Sequence, residues 1–93
     1  MSHVATAWAA SQSNLKPYEK LVLLTLADRH NPDYGCFPSQ ELIAKDCNMS
    51  RRAVQNQIKS LTKRGLIVIH RLRLNASTKF PVNRYYFPFE EGF

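Results

Sequence analysis

The run from Phe37 to Ile67, FPSQELIAKDCNMSRRAVQNQIKSLTKRGLI, constrains the fold more than any other part of the chain. Ser39 is placed to cap a helix running to about Asp46, because its hydroxyl can accept an orphan backbone N–H of the first turn. Ser50 repeats the device for a second helix. Between them, Asn48 stands where a tight turn requires a residue that tolerates the left-handed region; glycine fills such positions most readily and asparagine next. Ala44 is small where the two helices would cross. The segment predicts two short capped helices joined by a tight turn and leading into a glycine-stopped strand.

The faces of the second helix follow from the advance of about 100° per residue. Val54, Ile58 and Leu61 fall on one stripe. With Val54 at zero, Arg52, Asn56, Lys59 and Lys63 lie within roughly 40° of the opposite side, Gln55 flanks them, and Arg51 lies closer to the buried edge. The outward face is thus cationic and amide-bearing, with no acid on it. Arginine offers a planar fork to guanine O6/N7, and Asn or Gln can bond adenine N6/N7 bidentately, so these are the residue types a major-groove reader needs. A merely solvated helix face is the plain alternative for a run such as SRRAVQNQIK. The capped helix before it, the turn, and the absence of Asp or Glu from residues 47 to 89 weigh against that alternative.

Composition narrows the function classes. Ninety-three residues with 44% hydrophobic content predict one small domain with a single core. Thirteen Lys+Arg against seven Asp+Glu give a net charge of +6, which favours polyanionic partners. The acids are Glu19, Asp28, Asp33, Glu41, Asp46, Glu90 and Glu91, so the stretch from 51 to 84 is purely basic in sequence. No run approaches the roughly 18 apolar residues of a membrane span. The N-terminal AWAA lacks the preceding basic region and long apolar core of a secretory signal. Cys36 and Cys47 have no CxxC or HxxxH company and are expected reduced and semi-buried in a cytoplasmic, nucleoid-associated protein, with a disulfide or a zinc site as the minor alternative. His3, His30 and His70 form no catalytic spacing, and there is no glycine-rich phosphate loop or metal motif. The chain is therefore expected to be no enzyme and to carry no cofactor.

The remaining elements read as follows. Residues 3 to 12, HVATAWAASQ, are alanine-rich with high helix propensity, and Trp8 is expected as a core or interface anchor. Pro17 suits the first turn of a helix from about Pro17 to Arg29, whose Leu21, Val22, Leu23, Leu24 and Leu26 make it the expected central core helix. Asn31-Pro32-Asp33-Tyr34-Gly35 is a loop by its turn residues. Cys36-Phe37-Pro38 is expected as a very short strand. Lys63-Arg64-Gly65 stops the second capped helix, with cations near the negative helix end and glycine free to take positive φ. Leu66 to Arg73 and Arg84 to Phe87 then read as antiparallel strands joined by a polar connection, LNASTKFPVN, that forms a wing. Tyr85 and Phe87 share one face and are expected to close the core, while Arg71 and Arg73 share a face that can meet phosphates.

This order of elements resembles the winged helix-turn-helix superfamily. Within it, the early AW, KPYEKLVLLTLADRHN, the CFPSQELIA block and the late NRYYF are similar to the domains of bacteriophage and plasmid replication proteins. The resemblance covers about residues 5 to 88. It implies an α+β, mostly helical fold: a three-helix core with a C-terminal β-hairpin wing and a short N-terminal helix, in one domain over 1–93 (extension 1–14, core 15–89). It also implies base contacts from Arg51, Arg52, Gln55 and Asn56. Backbone contacts are implied for Ser39, Ser50, Lys59, Lys63 and the wing, where the basic residues are Arg71, Arg73 and Lys79. Asn48 departs from the usual turn glycine, and Phe80 beside Pro81 gives the wing an aromatic suited to packing. In such proteins the domain commonly precedes further domains.

The expected partner is double-stranded DNA, read either at a replication origin or by a small transcription regulator, with a second copy of the chain or replication proteins as further partners. The competing class is a protein-interaction module presenting Trp8 with Tyr86, Phe89 and Phe93. RNA binding is least supported, because the aromatics are not interleaved with basic residues as base-stacking platforms require.

Overall fold

The computed structural model describes residues 3–72 and 82–90. Four helices, α1 (His3–Ser11), α2 (Pro17–Asp28), α3 (Gln40–Cys47) and α4 (Arg51–Lys63), precede a hairpin of β1 (Val68–Leu72) and β2 (Val82–Tyr86). The two strands are antiparallel, in a register that sets Val68 opposite Tyr86 and Leu72 opposite Val82. Among the described residues no helix is long and apolar enough to cross a membrane.

Local chemistry sets the ends of each element. Glu19 reaches back to the Lys16 backbone N–H at 2.8 Å and so fixes the start of α2, where Pro17 has no N–H to satisfy. The Ser39 hydroxyl oxygen accepts from Leu42 N at 3.1 Å and that of Ser50 from Ala53 N at 3.0 Å. Asn48 takes the left-handed conformation, φ 54° and ψ 45°, as the tight turn required. After α4, Gly65 has φ +76°, and Leu66 N–H returns to the Leu61 carbonyl at 3.1 Å.

Helix α2 is central and packs against α1, α3 and α4. Val54, Ile58 and Leu61 are buried together, as their stripe predicted, and Tyr85 and Phe87 are fully buried in the same core. The sequence predicts that Leu21, Leu24 and Leu42 cover this stripe, and the structure uses other residues. Glu19, Val22, Leu23, Leu26 and Ala27 are buried, whereas Leu21 is exposed and Leu24 and Leu42 are half-buried. The buried positions recur at i, i+3, i+4, i+7 and i+8, and Leu21 lies across the helix from them. On a helix apolar over most of its girth, the stripe that includes a carboxylate is the one the other helices select.

The short strand expected at Cys36–Pro38 does not form. One hydrogen bond, Tyr85 N–H to the Cys36 carbonyl at 2.9 Å, lays this segment beside β2. Pro38 has no N–H to extend a ladder, and the chain turns at once into the Ser39 cap. Cys36 and Cys47 are both buried and unbridged. The Cys36 thiol donates to the Leu26 carbonyl at 3.2 Å, and burial pushes its pKa up to about 12.

Helix α1 joins the core through fully buried Ala5 and Ala9. Trp8 is partly buried, edge-on to Phe87 and to Phe89 with both centroids at 5.5 Å. It is therefore not the exposed aromatic that the interaction-module reading needed, and Phe93 lies outside the described residues. The sum of these elements is a winged helix-turn-helix arrangement. Most of the predicted wing connection, with Arg73, Lys79, Phe80 and Pro81, also lies outside the described residues.

Candidate nucleic-acid interface

Helix α4 exposes Arg52, Gln55, Asn56, Lys59 and Lys63, and buries Val54, Ile58 and Leu61 on its other side. Arg52 to Lys63 spans about 16 Å of helix axis at 1.5 Å per residue. Among the described residues, none of Arg52, Lys59 and Lys63 has a carboxylate partner. No acid lies in the first turn of α4. The positive helix start and the unpaired cations therefore add on one face.

The basic stretch is less uniform in space than in sequence, because tertiary folding brings acids to three of its arginines. Arg64 is paired with Glu19 at 2.9 Å, Arg84 with Glu90 at 3.0 Å and Arg51 with Glu41 at 3.2 Å. Arg84 also lies 3.8 Å from the Tyr86 ring centroid, so it serves the hairpin rather than a ligand. The helical advance sets Arg51 near the buried edge, yet its side chain is 60% exposed and reaches across to α3. There its Nε donates to Gln40 Oε1 at 3.4 Å and its Nη1 to Glu41 Oε1 at 3.2 Å. Gln55 Nε2 donates to the same Gln40 oxygen at 3.0 Å. Neither Gln40 nor Glu41 stood out in the sequence. Their role depends on how α3 crosses α4, for which no local pattern carries a signal.

A cleft of about 270 Å³ separates the starts of α3 and α4 from the hairpin. Ser39, Gln40, Glu41 and Arg51 line one wall, and Arg71, Val82 and Asn83 the other. The fold thus brings Arg71 of the wing next to the start of both helices. Ser39 and Ser50 are exposed, and each keeps its hydroxyl proton for an outside acceptor while its oxygen caps a helix. Lys63 stands at the far end of α4, away from this cleft. His, Cys, Asp and Glu side chains form no metal-holding group among the described residues.

The turn geometry, the paired caps and the exposed polar face of α4 agree with a sequence comparison: the profile of a family described as a helix-turn-helix domain matches residues 13–67. The chain belongs to that family. The matched span makes up more than half the chain and runs from before α2 to Ile67, covering α2, α3 and α4. Helix α1 and the hairpin lie outside it. Neither the curated proteins nor the solved structures gave a match. Membership of the helix-turn-helix family points to DNA binding as the role of the α3–α4 unit.

Proposed function

We propose that the chain is a sequence-selective binder of double-stranded DNA that inserts α4 into the major groove. In this reading Arg52, Gln55 and Asn56, with Arg51 beside them, meet base edges near the start of the helix. Ser39, Ser50, Lys59, Lys63 and Arg71 hold the phosphate backbone, joined by Arg73 and Lys79 of the wing. The observation that carries the reading is the exposed line of Arg52, Asn56, Lys59 and Lys63, whose cations have no carboxylate partner among the described residues. The cleft between Arg51 and Arg71 supports it, since a strand of phosphates can run between the helix starts and the wing.

The finer assignment within this reading is origin recognition by a replication protein of phage or plasmid type. It is supported by the KPYEKLVLLTLADRHN, CFPSQELIA and NRYYF blocks. A transcription regulator would use the same surface, and the position of the selected site relative to an origin or a promoter distinguishes the two.

A fluorescence anisotropy titration against duplex DNA at several salt concentrations tests the proposal. Neutralisation of about five phosphates gives a slope of log K against log salt near roughly −4 to −5. A flat response, or no binding at low salt, overturns it.

A further inference from the structure

We infer that Gln40, on the first helix of the helix-turn-helix, is a specificity-determining residue: its side-chain oxygen fixes which end of the Gln55 amide faces the DNA. The inference rests on the DNA-binding reading above and adds to it a residue that sits off the recognition helix.

The argument follows the hydrogen-bond chain Arg51, Gln40, Gln55. A glutamine amide has a donor end and an acceptor end of nearly the same shape, so its orientation is set by its partners. Arginine can only donate. Arg51 Nε, 3.4 Å from the Gln40 amide, therefore demands the oxygen of Gln40 at that point. The same oxygen then faces Gln55 at 3.0 Å, and only the Gln55 nitrogen can meet it. Gln55 consequently turns Nε2 inward and leaves Oε1, together with one remaining N–H, for an outside partner. An acceptor beside a donor is the pattern that matches adenine N6–H and N7 in the major groove. Glu41 strengthens the chain by holding the Arg51 guanidinium from the other side at 3.2 Å.

Both glutamines are at the surface, Gln55 exposed and Gln40 half-buried. In a free side chain the two amide orientations interconvert, and no partner selects between them before DNA arrives. The Gln40 oxygen removes that ambiguity before DNA arrives, which is preorganisation in the usual sense. Gln40 is thus a positioning residue, acting through Gln55 rather than touching the base itself.

The test compares binding-site selection by the full chain and by the variants Gln55→Ala, Gln40→Ala, Gln40→Glu and Gln40→Ala/Gln55→Ala. The base whose preference Gln55→Ala abolishes is the one that Gln55 reads. At that base Gln40→Ala is expected to lower the discrimination by about fivefold or more, with affinity for random duplex changed less than about twofold. Gln40→Glu keeps an acceptor for both Arg51 and Gln55, so it is expected to keep the base preference even as its added charge weakens every duplex. In the double variant, loss of Gln40 is expected to change nothing further. Thermal melting of each variant reports whether it is folded, and Gln40→Glu carries the test if Gln40→Ala is not. Unchanged preference in Gln40→Ala, loss of it in Gln40→Glu, or no base that depends on Gln55 overturns the inference while the DNA-binding reading stands. A wild-type chain that selects no sequence overturns sequence selectivity as well.

Discussion

The carboxylate of Glu19, in the first turn of α2, is buried against Arg64 at the end of α4, with Nε to Oε2 at 2.9 Å and Nη2 to Oε1 at 3.3 Å. The Ser60 hydroxyl and the Lys16 backbone N–H also donate to it. One side chain thereby caps its own helix and ties it to the last turn of α4. The hydrogen bond from Ser60, then those from Lys16 N–H and Arg64, hold its pKa down to about 2 against the opposing effect of burial. Replacing it leaves several donors without their acceptor. Glu19→Ala is expected to lower stability by about 1.5 to 3 kcal/mol, read as a lower urea midpoint with unchanged slope. Because the folded pKa is depressed from 4.5, this stabilisation is present above pH 4.5 and is lost as pH falls from there toward 2. Glu19→Gln should flatten that part of the acid unfolding curve.

His30 gives a second, separate pH response nearer neutrality. It is buried, edge-on to Phe87 and Phe89, and its Nδ1 has no hydrogen-bond partner among the described residues although Glu90 Oε1 lies 3.7 Å away. Burial lowers its pKa from 6.5, with the nearby Glu90 charge opposing. The unfolded chain therefore takes up a proton near pH 6.5 that the folded chain refuses, so stability falls as pH drops below 6.5. Melting temperatures between pH 7.5 and about 5.5 should decline in the wild type and less so in His30→Phe.

Gly35 stands where a side chain has no room. Its φ is +97°, and a Cβ there would run into the Arg84 guanidinium. That guanidinium is held by Glu90 at 3.0 Å and by the Tyr85 carbonyl at 2.7 Å, so it cannot yield freely. Gly35→Ala is expected to cost about 1 to 3 kcal/mol, combining backbone strain with the displaced ion pair. Gly65, with φ +76° and no described residue within 4 Å of an added Cβ, should show the strain alone, at about 1 kcal/mol. Thermal denaturation of the two variants side by side measures the difference.

Burial separates two apolar residues that hydropathy alone treats alike. Ile58→Ala, at 4% exposure in the α2–α4 core, should destabilise by about 2 to 5 kcal/mol. Leu21→Ala, at 39% exposure, should cost less than about 1 kcal/mol. Equal losses in chemical denaturation would mean that the outward face of α2 is covered in solution.

Base reading and backbone holding should separate by mutation. Arg52→Ala and Asn56→Ala are each expected to lower affinity for a selected site by about 1 to 3 kcal/mol while barely changing binding to random duplex. Lys79→Ala should weaken both alike and reduce the salt slope by about one unit. Uniform weakening by all three would mean that DNA is held without being read.

The sequence by itself determined the helix pair, its caps and its faces. Ser39, Asn48, Ser50 and Gly65 act within a few residues of themselves, and a helix of 3.6 residues per turn assigns Val54, Ile58 and Leu61 to one side whatever lies opposite. The pairing of Tyr85 and Phe87 on the core face followed likewise from the period of two in a strand. What only the tertiary structure decided are the relations between distant segments. Leu21 looked as fit for the core as Leu23 until α1, α3 and α4 chose a side of α2. Arg64 looked as free as Lys63 until the fold delivered Glu19, and Arg51 as free as Arg52 until α3 laid Gln40 and Glu41 beside it. Local patterns carry the preferences of a few neighbouring residues, whereas the charge and orientation of a binding face depend on which distant side chains the packing brings within about 4 Å.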